Sequence, residues 1–451
     1  MRTAPHLLPP WQEARRLAIP ATLSLLLHAA YRVNDQYWVR GLGPDAQAAL
    51  GVTSFLHILN FGFATLLSTG TLARVARASG AGDADGVRRA WHATWRFGLP
   101  WFALISILGW ALTPLWVRAC GAQGNVALMA AQYVGVIYLV QPAIAFKPVV
   151  DSVFIGLGNT TIPLVLAVLA IILNFALSPL LIYGAGNWEG LGIAGAAWAT
   201  GISRAAAVAL GAGFLGRWFG LPLERRRVDW PEVRRMLAIG APLAISVTGY
   251  ALVFILVLKT SVQGLGRDVQ AGLGVGFNGV ESLSYCALMG PAVAAASIVG
   301  RRLGAGDLAG ARAGMRACLI MSTGIAAVFS LVFLLIPGPL AAAFSAETGV
   351  RREAVVYLQI VALSQIVTAV DAVLQQSMAG AGRTFHMSLV NLGGYAARIP
   401  LAALFTIGLG WGAAGVWWAL NVSNYLKLGA MILLFRRLRL FATPSSPRTI
   451  P

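Results

Sequence analysis

Asp35, Lys147, Glu281, Asp371 and Arg398 each interrupt a long run of apolar residues. A charged side chain at the centre of a hydrocarbon layer costs about 2.5–3.5 kcal/mol on insertion scales, so ionisable residues there need a partner or a purpose. Carboxylates in such a place can exchange a proton or attract a cation. Asp35, beside the polar Asn34, lies about 18 residues into its apolar run, or about 27 Å along a helix, which puts it in the outer half of that run. Its plain structural reading is an acid at a helix end paired with Arg32 or Arg40. Glu281 stands about ten residues into its run, near the middle, placed either to carry a proton or to attract a cationic ligand, or else to pair across a bundle. Lys147 lies toward one end of its run, where a long side chain can snorkel to the interface. Tyr250, Phe254 and Tyr285 are candidates to face a cavity and stack on a flat cation. Trp38, Trp116, Trp218 and Trp230 read as an interfacial belt.

The composition excludes most other chemistries. Of the 451 residues, 58% are hydrophobic and 11% charged, against roughly 25% charged in an average soluble domain, too few to cover a water-soluble surface of this size. The net charge of +18 comes as small basic clusters between apolar runs, a topology signal rather than a nucleic-acid footprint. Cys120, Cys286 and Cys318 are far apart and make no disulfide framework or metal spacing. The five histidines form no metal motif, no Ser/His/Asp cluster stands out, and no GxxxxGK[ST] loop is present. Neither an enzyme nor a cofactor or resident metal is expected.

Twelve apolar segments carry the pattern of membrane helices, near 17–39, 50–73, 91–114, 127–150, 161–183, 190–216, 237–260, 271–297, 312–336, 354–378, 384–407 and 411–435. The first is too long for a secretory signal and is read as a retained span. With twelve spans and a cytoplasmic N-terminus, 22 arginines fall on the inner side and 5 on the outer, so both termini are expected in the cytoplasm.

The chain repeats itself. Gly41-Leu42-Gly43-Pro44-Asp45 answers Gly264-Leu265-Gly266-Arg267-Asp268 at an offset of 223. Gly80-Ala81-Gly82-Asp83 answers Gly304-Ala305-Gly306-Asp307 at 224, as Gly156-Leu157-Gly158-Asn159-Thr160 answers Gly380-Ala381-Gly382-Arg383-Thr384. Gly192-Ile193-Ala194-Gly195 answers Gly412-Ala413-Ala414-Gly415 at 220. An even number of spans per copy gives both copies one orientation, with a pseudo-twofold axis along the membrane normal. The expected architecture is all-α: an N-lobe over 1–216, a cytoplasmic linker over 217–235, a C-lobe over 236–439 and a flexible tail over 440–451. Two such lobes around a cleft are the layout of an alternating-access transporter.

These blocks also resemble the multidrug and toxic compound extrusion (MATE) transporters, within a superfamily that includes polysaccharide and lipid flippases. The resemblance rests on Asn34-Asp35 with Gly41-Leu42-Gly43 and Ala48-Ala49-Leu50-Gly51, on Val299 to Asp307, on Gly380 to Thr384, and on Arg398-Ile399-Pro400 with Gly410 to Trp418. It implies export of mostly cationic, amphipathic organic molecules, driven by inward flow of H+ or Na+ and without ATP. It also implies a bacterial inner-membrane location for a monomer that binds no nucleic acid. It makes Asp35 the first-helix carboxylate that binds the coupling cation and releases it on protonation, with Asn34, Asn174 and Ser178 around it and Na+ as one candidate ion. One branch of the family follows the counterpart of Asn174 with an aspartate four residues later; this chain has Ser178 there, which favours H+. Glu281 and Asp371 become second-lobe coupling or substrate residues, and Arg398 resembles an anchoring arginine. The alternative on the same fold is a lipid or lipid-linked-sugar flippase. The few arginines within or near the spans, Arg32, Arg96, Arg204 and Arg398, speak against an anionic pyrophosphate substrate. A reporter fused after Arg439 is predicted to read as cytoplasmic and one inserted between Gly266 and Val269 as external; a cytoplasmic signal from the second would break the twelve-span topology.

Overall fold

The computed structural model describes residues 8–119, 122–224, 227–438 and 440–441. The described residues are almost entirely helical and form twelve rods. They are α1 (Pro10–Val39), α2 (Pro44–Gly80), α3 (Ala84–Ala111), α4 (Gly124–Leu139 with Gln141–Gly156), α5 (Thr161–Tyr183) and α6 (Ile193–Phe219). The second set is α7 (Trp230–Val257), α8 (Arg267–Leu273, a π-helical stretch Gly274–Glu281, then Ser282–Gly304) and α9 (Leu308–Leu335). It ends with α10 (Thr348–Ala362 with Gln365–Gly380), α11 (Phe385–Ala396, Arg398–Ala403 and a π-helical Leu404–Gly408) and α12 (Gly412–Leu438). A two-strand hairpin, Gly184–Ala185 with Trp188–Glu189, joins α5 to α6.

Among the described residues, seven rods are long and apolar enough to cross a membrane, nine when each bent pair counts as one span. On α2 the side chains of residues 52 and 54–59 lie outside the described residues, while α1 and α3 fall short because they carry polar residues turned into the protein. Glu13, Asn34 and Asp35 on α1, Thr53, Asn60, Thr65 and Thr71 on α2, and His92, Thr94 and Ser106 on α3 are all buried in the protein. A helix that turns polar groups inward looks less apolar by average than its outer face is. The rods also outrun the apolar segments: α2 at 37 residues is about 55 Å long, well beyond a hydrocarbon core of about 30 Å. The connection between the repeats is shorter than 217–235, because α6 runs to Phe219 and α7 starts at Trp230. Of the tail, Phe441 is buried and its carbonyl accepts from Arg312 at 3.2 Å; residues 442–451, like Cys120, Arg225 and Arg226, lie outside the described residues.

The repeated motifs build repeated turns. Gly82 and Gly306 have φ of 70° and 75°, a left-handed conformation open to glycine without a Cβ penalty. The next residue in each copy, Asp83 or Asp307, caps its helix by accepting from the backbone N–H of Gly86 or Gly310 at 2.7 Å. Thr160 ties α5 to the Leu17 carbonyl of α1 at 2.9 Å, and Thr384 ties α11 to the Ile239 carbonyl of α7 at 2.6 Å. The fourth rod bends by 51° after Leu139 and the tenth by 56° after Ala362. Each copy thus repeats its bends as well as its motifs.

Packing follows the copies. α5 packs on α6 and α2 on the second half of α4, while α8 packs on α9 and on the second half of α10. Between the copies, α1 lies against α8, and α2 against α7 and α8. The crossing of α2 and α8 is reciprocal: Gly80 lies on the Arg301 carbonyl and Gly304 on the Arg77 carbonyl, both related by the 224-residue offset. A self-complementary contact of this kind marks the pseudo-twofold axis. Gly70 lies on the Met236 carbonyl and Gly240 on the Leu66 carbonyl in the same interface. Small residues let backbones approach where lipid offers no hydrophobic drive. The cross-lobe hydrogen bonds cluster toward the end of the molecule that carries the termini, at Glu13, Thr22, Arg74, Glu232, Ala287, Ser297, Arg301 and Arg302. Nearer the other end, α1 binds α5 and α8 binds α10, each within its own copy. A Cβ on Gly240 would collide with backbone rather than with a movable side chain. Gly240→Val should therefore cost about 1–3 kcal/mol, read as a lower unfolding temperature in detergent, whereas the same change at Gly213, where nothing is near, should leave it unmoved.

Candidate functional site

Each copy holds one buried polar centre. In the first, α1, α5 and α6 face one another through one-turn pairs: Tyr31 and Asp35, Asn174 and Ser178, Thr200 and Arg204. Asn34 donates to Asn174 Oδ1 at 2.8 Å and to Ser178 Oγ at 3.1 Å. Asn174 donates onward to Thr200 at 3.3 Å, and Ser178 closes on the Asn174 carbonyl at 2.8 Å. The structure therefore links Asn34, Asn174 and Ser178, three of the four residues that the resemblance marks for the coupling cation, next to the fourth, Asp35. Asp35 is buried beside them, in the field of Arg204, and its Oδ1 has no partner. Arg204 stacks on Tyr31 at 4.8 Å, one turn along α1 from Asp35. The Arg32 side chain, the sequence's structural partner for Asp35, lies outside the described residues.

Lys147 does not snorkel. It is 2% exposed and makes two contacts with Asp151, at 2.6 and 2.7 Å, one turn along the same helix. Asp151 falls just past the apolar segment drawn from sequence and was missed, although its spacing of four from Lys147 was a usable signal.

In the second copy, Tyr357 donates to Glu281, and Ser284 donates to Gln365 at 2.9 Å close by. Glu281 closes a π-helical stretch, an irregularity common at functional positions. Asp371 is buried and pairs with Lys427 of α12 at 2.8 Å; Gln375 donates to the same oxygen at 2.6 Å and is itself held by Asn391 at 2.8 Å. Lys427 was missed too, though it interrupts an apolar run as the other candidates do. Arg398 is an anchor, donating to the Ser423 hydroxyl at 3.0 Å and to the Asn424 side-chain carbonyl at 2.8 Å. Its guanidinium also covers Tyr250 at 5.4 Å and Tyr395 at 5.2 Å. Tyr250 stacks on Phe254, and Phe254 on Phe277, so these rings already have protein partners, while Tyr285 is 50% exposed. A separate apolar crevice of about 380 Å³ lies between α2 and α7, lined by Leu66, Trp101, Ala244, Thr248 and Leu252.

The two centres are related by the repeat in part: the carboxylates are not equivalent, since Asp35 answers Leu258 and Glu281 answers Ile58 at 223, but their neighbours are. Tyr133 and Gln141 correspond to Tyr357 and Gln365 at the offset of 224. Asn174 corresponds to Arg398 at 224, and Arg204 to Asn424 at 220. Asparagine and arginine have traded helices, so each lobe keeps one arginine, half-buried Arg204 or buried Arg398, in the field of one carboxylate, Asp35 or Glu281.

A family model described as MatE matches residues 20–180 and 242–404. The chain belongs to the MATE family. Its members are transporters rather than enzymes, and the two matched stretches fall one in each copy. Among relatives, the MATE chain is 28% identical over 458 residues to a probable multidrug resistance protein NorM of Bradyrhizobium diazoefficiens, covering 96% of this chain and 94% of the relative. It is 28% identical over 446 residues to the protein of the same name from Rhizobium meliloti, covering 95% and 93%. Among solved structures, it superposes with a TM-score of 0.88 on an outward-facing multidrug resistance MATE family transporter of the MOP superfamily, 21% identical, covering 96% of this chain and 97% of that one. That likeness establishes the fold of this MATE protein as an all-α, polytopic membrane architecture.

The Lys147–Asp151 pair gives a direct test of the first centre. Lys147→Met strands a buried carboxylate and should cost about 3–5 kcal/mol; adding Asp151→Leu should recover most of the loss, both measured by thermal unfolding in detergent.

Proposed function

We propose that this MATE-family protein exports small, amphipathic organic compounds, mostly cationic, in exchange for protons by alternating access in a bacterial inner membrane. The observation that carries the reading is Asp35: a buried carboxylate on α1 with one oxygen unpartnered, set in a cluster of neutral polar groups. Asp151 and Asp371, also buried, each have a lysine partner, although Asp371 leaves its Oδ1 unpartnered too, and half-buried Glu281 accepts from Tyr357; among the described residues Asp35 has no ion pair. A proton fits Asp35 better than Na+ does. Sodium would need several free oxygens; Asn34 Oδ1 and Asp35 Oδ1 are unpartnered, but Asn174 and Ser178 engage theirs with Asn34 and each other, and the Arg204 charge already acts on Asp35. The absence of an acid at Ser178 points the same way. The relatives named for multidrug resistance support small organic substrates. The arginine bias supports a cytoplasmic position for the end where the lobes are closed, which makes the described state open to the outside.

Purified protein in vesicles with an imposed pH gradient is expected to move an organic-cation dye, and the flux is expected to follow the pH gradient and not an Na+ gradient. Asp35→Asn cannot titrate and should reduce dye flux to the leak of protein-free vesicles while the protein remains folded. Undiminished proton-driven flux in that variant, or flux that follows Na+ alone, would refute the assignment.

A further inference from the structure

Two carboxylates outside the polar centres hold the closed end together, and the repeat relates them. Glu13-Ala14-Arg15-Arg16 opens α1 and Glu232-Val233-Arg234-Arg235 opens α7, at an offset of 219. Their burial is the same residue by residue: the glutamate and its neighbour are buried and both arginines are exposed. Each glutamate reaches across to the second helix of the opposite copy. Glu13, 3% exposed, takes Arg302 of α8 through Nε at 3.0 Å and Nη2 at 2.7 Å, and also pairs with Arg301. Arg302 is fixed further by Asp307 at 2.6 Å and by the Leu8 carbonyl at 2.6 Å. Glu232, 2% exposed, takes Arg74 of α2 in a two-pronged contact at 2.6 and 2.9 Å, with Arg235 at 3.3 Å and its own N–H capped by Asp229 at 3.1 Å. Between the two lies the Gly80–Gly304 crossing.

We propose that Glu13 and Glu232 are paired latches that set the equilibrium between closed and open at this end, and that both must break for the end to open. The inference rests on the alternating-access reading above for its role in transport, but not for its geometry. While the lobes are together both glutamates are buried and held by arginines, Glu232 in a fork with half-buried Arg74 and Glu13 between Arg301 and Arg302, which favours the closed form. Removing one partner strands a buried charge in the closed form alone, because an opened end hydrates it. The substitution therefore biases the equilibrium toward opening rather than simply weakening the fold. Both latches are ion pairs between helices of different copies, so separating the lobes cannot leave either intact.

The test is a distance across the closed end, read by pulsed electron paramagnetic resonance. Nitroxides are placed at Asp85→Cys and Ala309→Cys, which are exposed and equivalent at the offset of 224, in a chain with its three native cysteines replaced. The full-length protein in lipid nanodiscs, with no substrate and no gradient, should show one short distance. Glu13→Gln with Arg74→Met should raise the long-distance population by about tenfold or more, and Glu13→Gln alone by less. Arg89→Gln breaks an exposed ion pair with Asp83 at the same end but within one copy, and should change nothing. A distribution unchanged in the double variant would overturn the latches, as would an equal shift in Arg89→Gln. If the double variant does not fold, the single Glu13→Gln decides by the same criterion. Distances that shift as expected in a protein that moves no dye would leave the latches standing and remove the export reading.

Discussion

The cost of a charge in hydrocarbon shapes most of this molecule. Each lobe carries ionisable groups at depths where water cannot solvate them, and the fold answers with short internal pairs. Lys147 finds Asp151 one turn along its own helix, and Asp371 finds Lys427 two helices away in sequence. Glu281 has a tyrosine hydroxyl, and Arg398 a hydroxyl and an amide. Pairs of this kind contribute little net stability over an apolar filling, but each is costly to leave half made. Against that background Asp35, buried with an unpartnered oxygen and, among the described residues, no ion pair, is a departure that structure alone does not require, and departures from local consistency concentrate where a protein does its work.

The duplication supplies a symmetric scaffold on which chemistry has diverged. Turns, caps and bends recur at fixed offsets because they depend on backbone geometry, and a glycine in a left-handed turn or an aspartate at a helix start has few substitutes. The polar centres are freer. Exchange of asparagine and arginine between the fifth and sixth rods of one copy and the corresponding rods of the other keeps the charge count while moving the guanidinium to another helix. Each centre then has the same net inventory but a different geometry, as expected if the two lobes perform different parts of one task.

The closed end and the two centres are mechanically joined. α1 carries Glu13 at its foot and Asp35 near its other end, so a change at one end of the rod is transmitted along a continuous helix of 30 residues to the other. Pro20 lies within it, and a helix-interior proline removes one backbone hydrogen bond and offers a place to bend. α2 and α8 meet through glycines, which allow a tight crossing, and a tight crossing of two smooth surfaces can rock without unpacking side chains.

By itself the sequence determined the twelve rods, the repeat, its turns, the family and the cluster of Asn34, Asn174 and Ser178 around Asp35. Those features follow from apolar periodicity, from glycines and caps at fixed offsets, and from motifs whose order is hard to reach by chance. It placed Lys147 at an interface, named Arg398 as an anchor without its partner, and passed over Asp151, Lys427 and both latch glutamates. A helix pattern says which face a residue occupies but not which helix that face meets. Asp371 and Lys427 are 56 positions apart and Glu13 and Arg302 are 289 apart, so no local signal joins them. Only the tertiary structure decided those partners, because lobe packing, not chain spacing, sets which charges share a pocket closed to water.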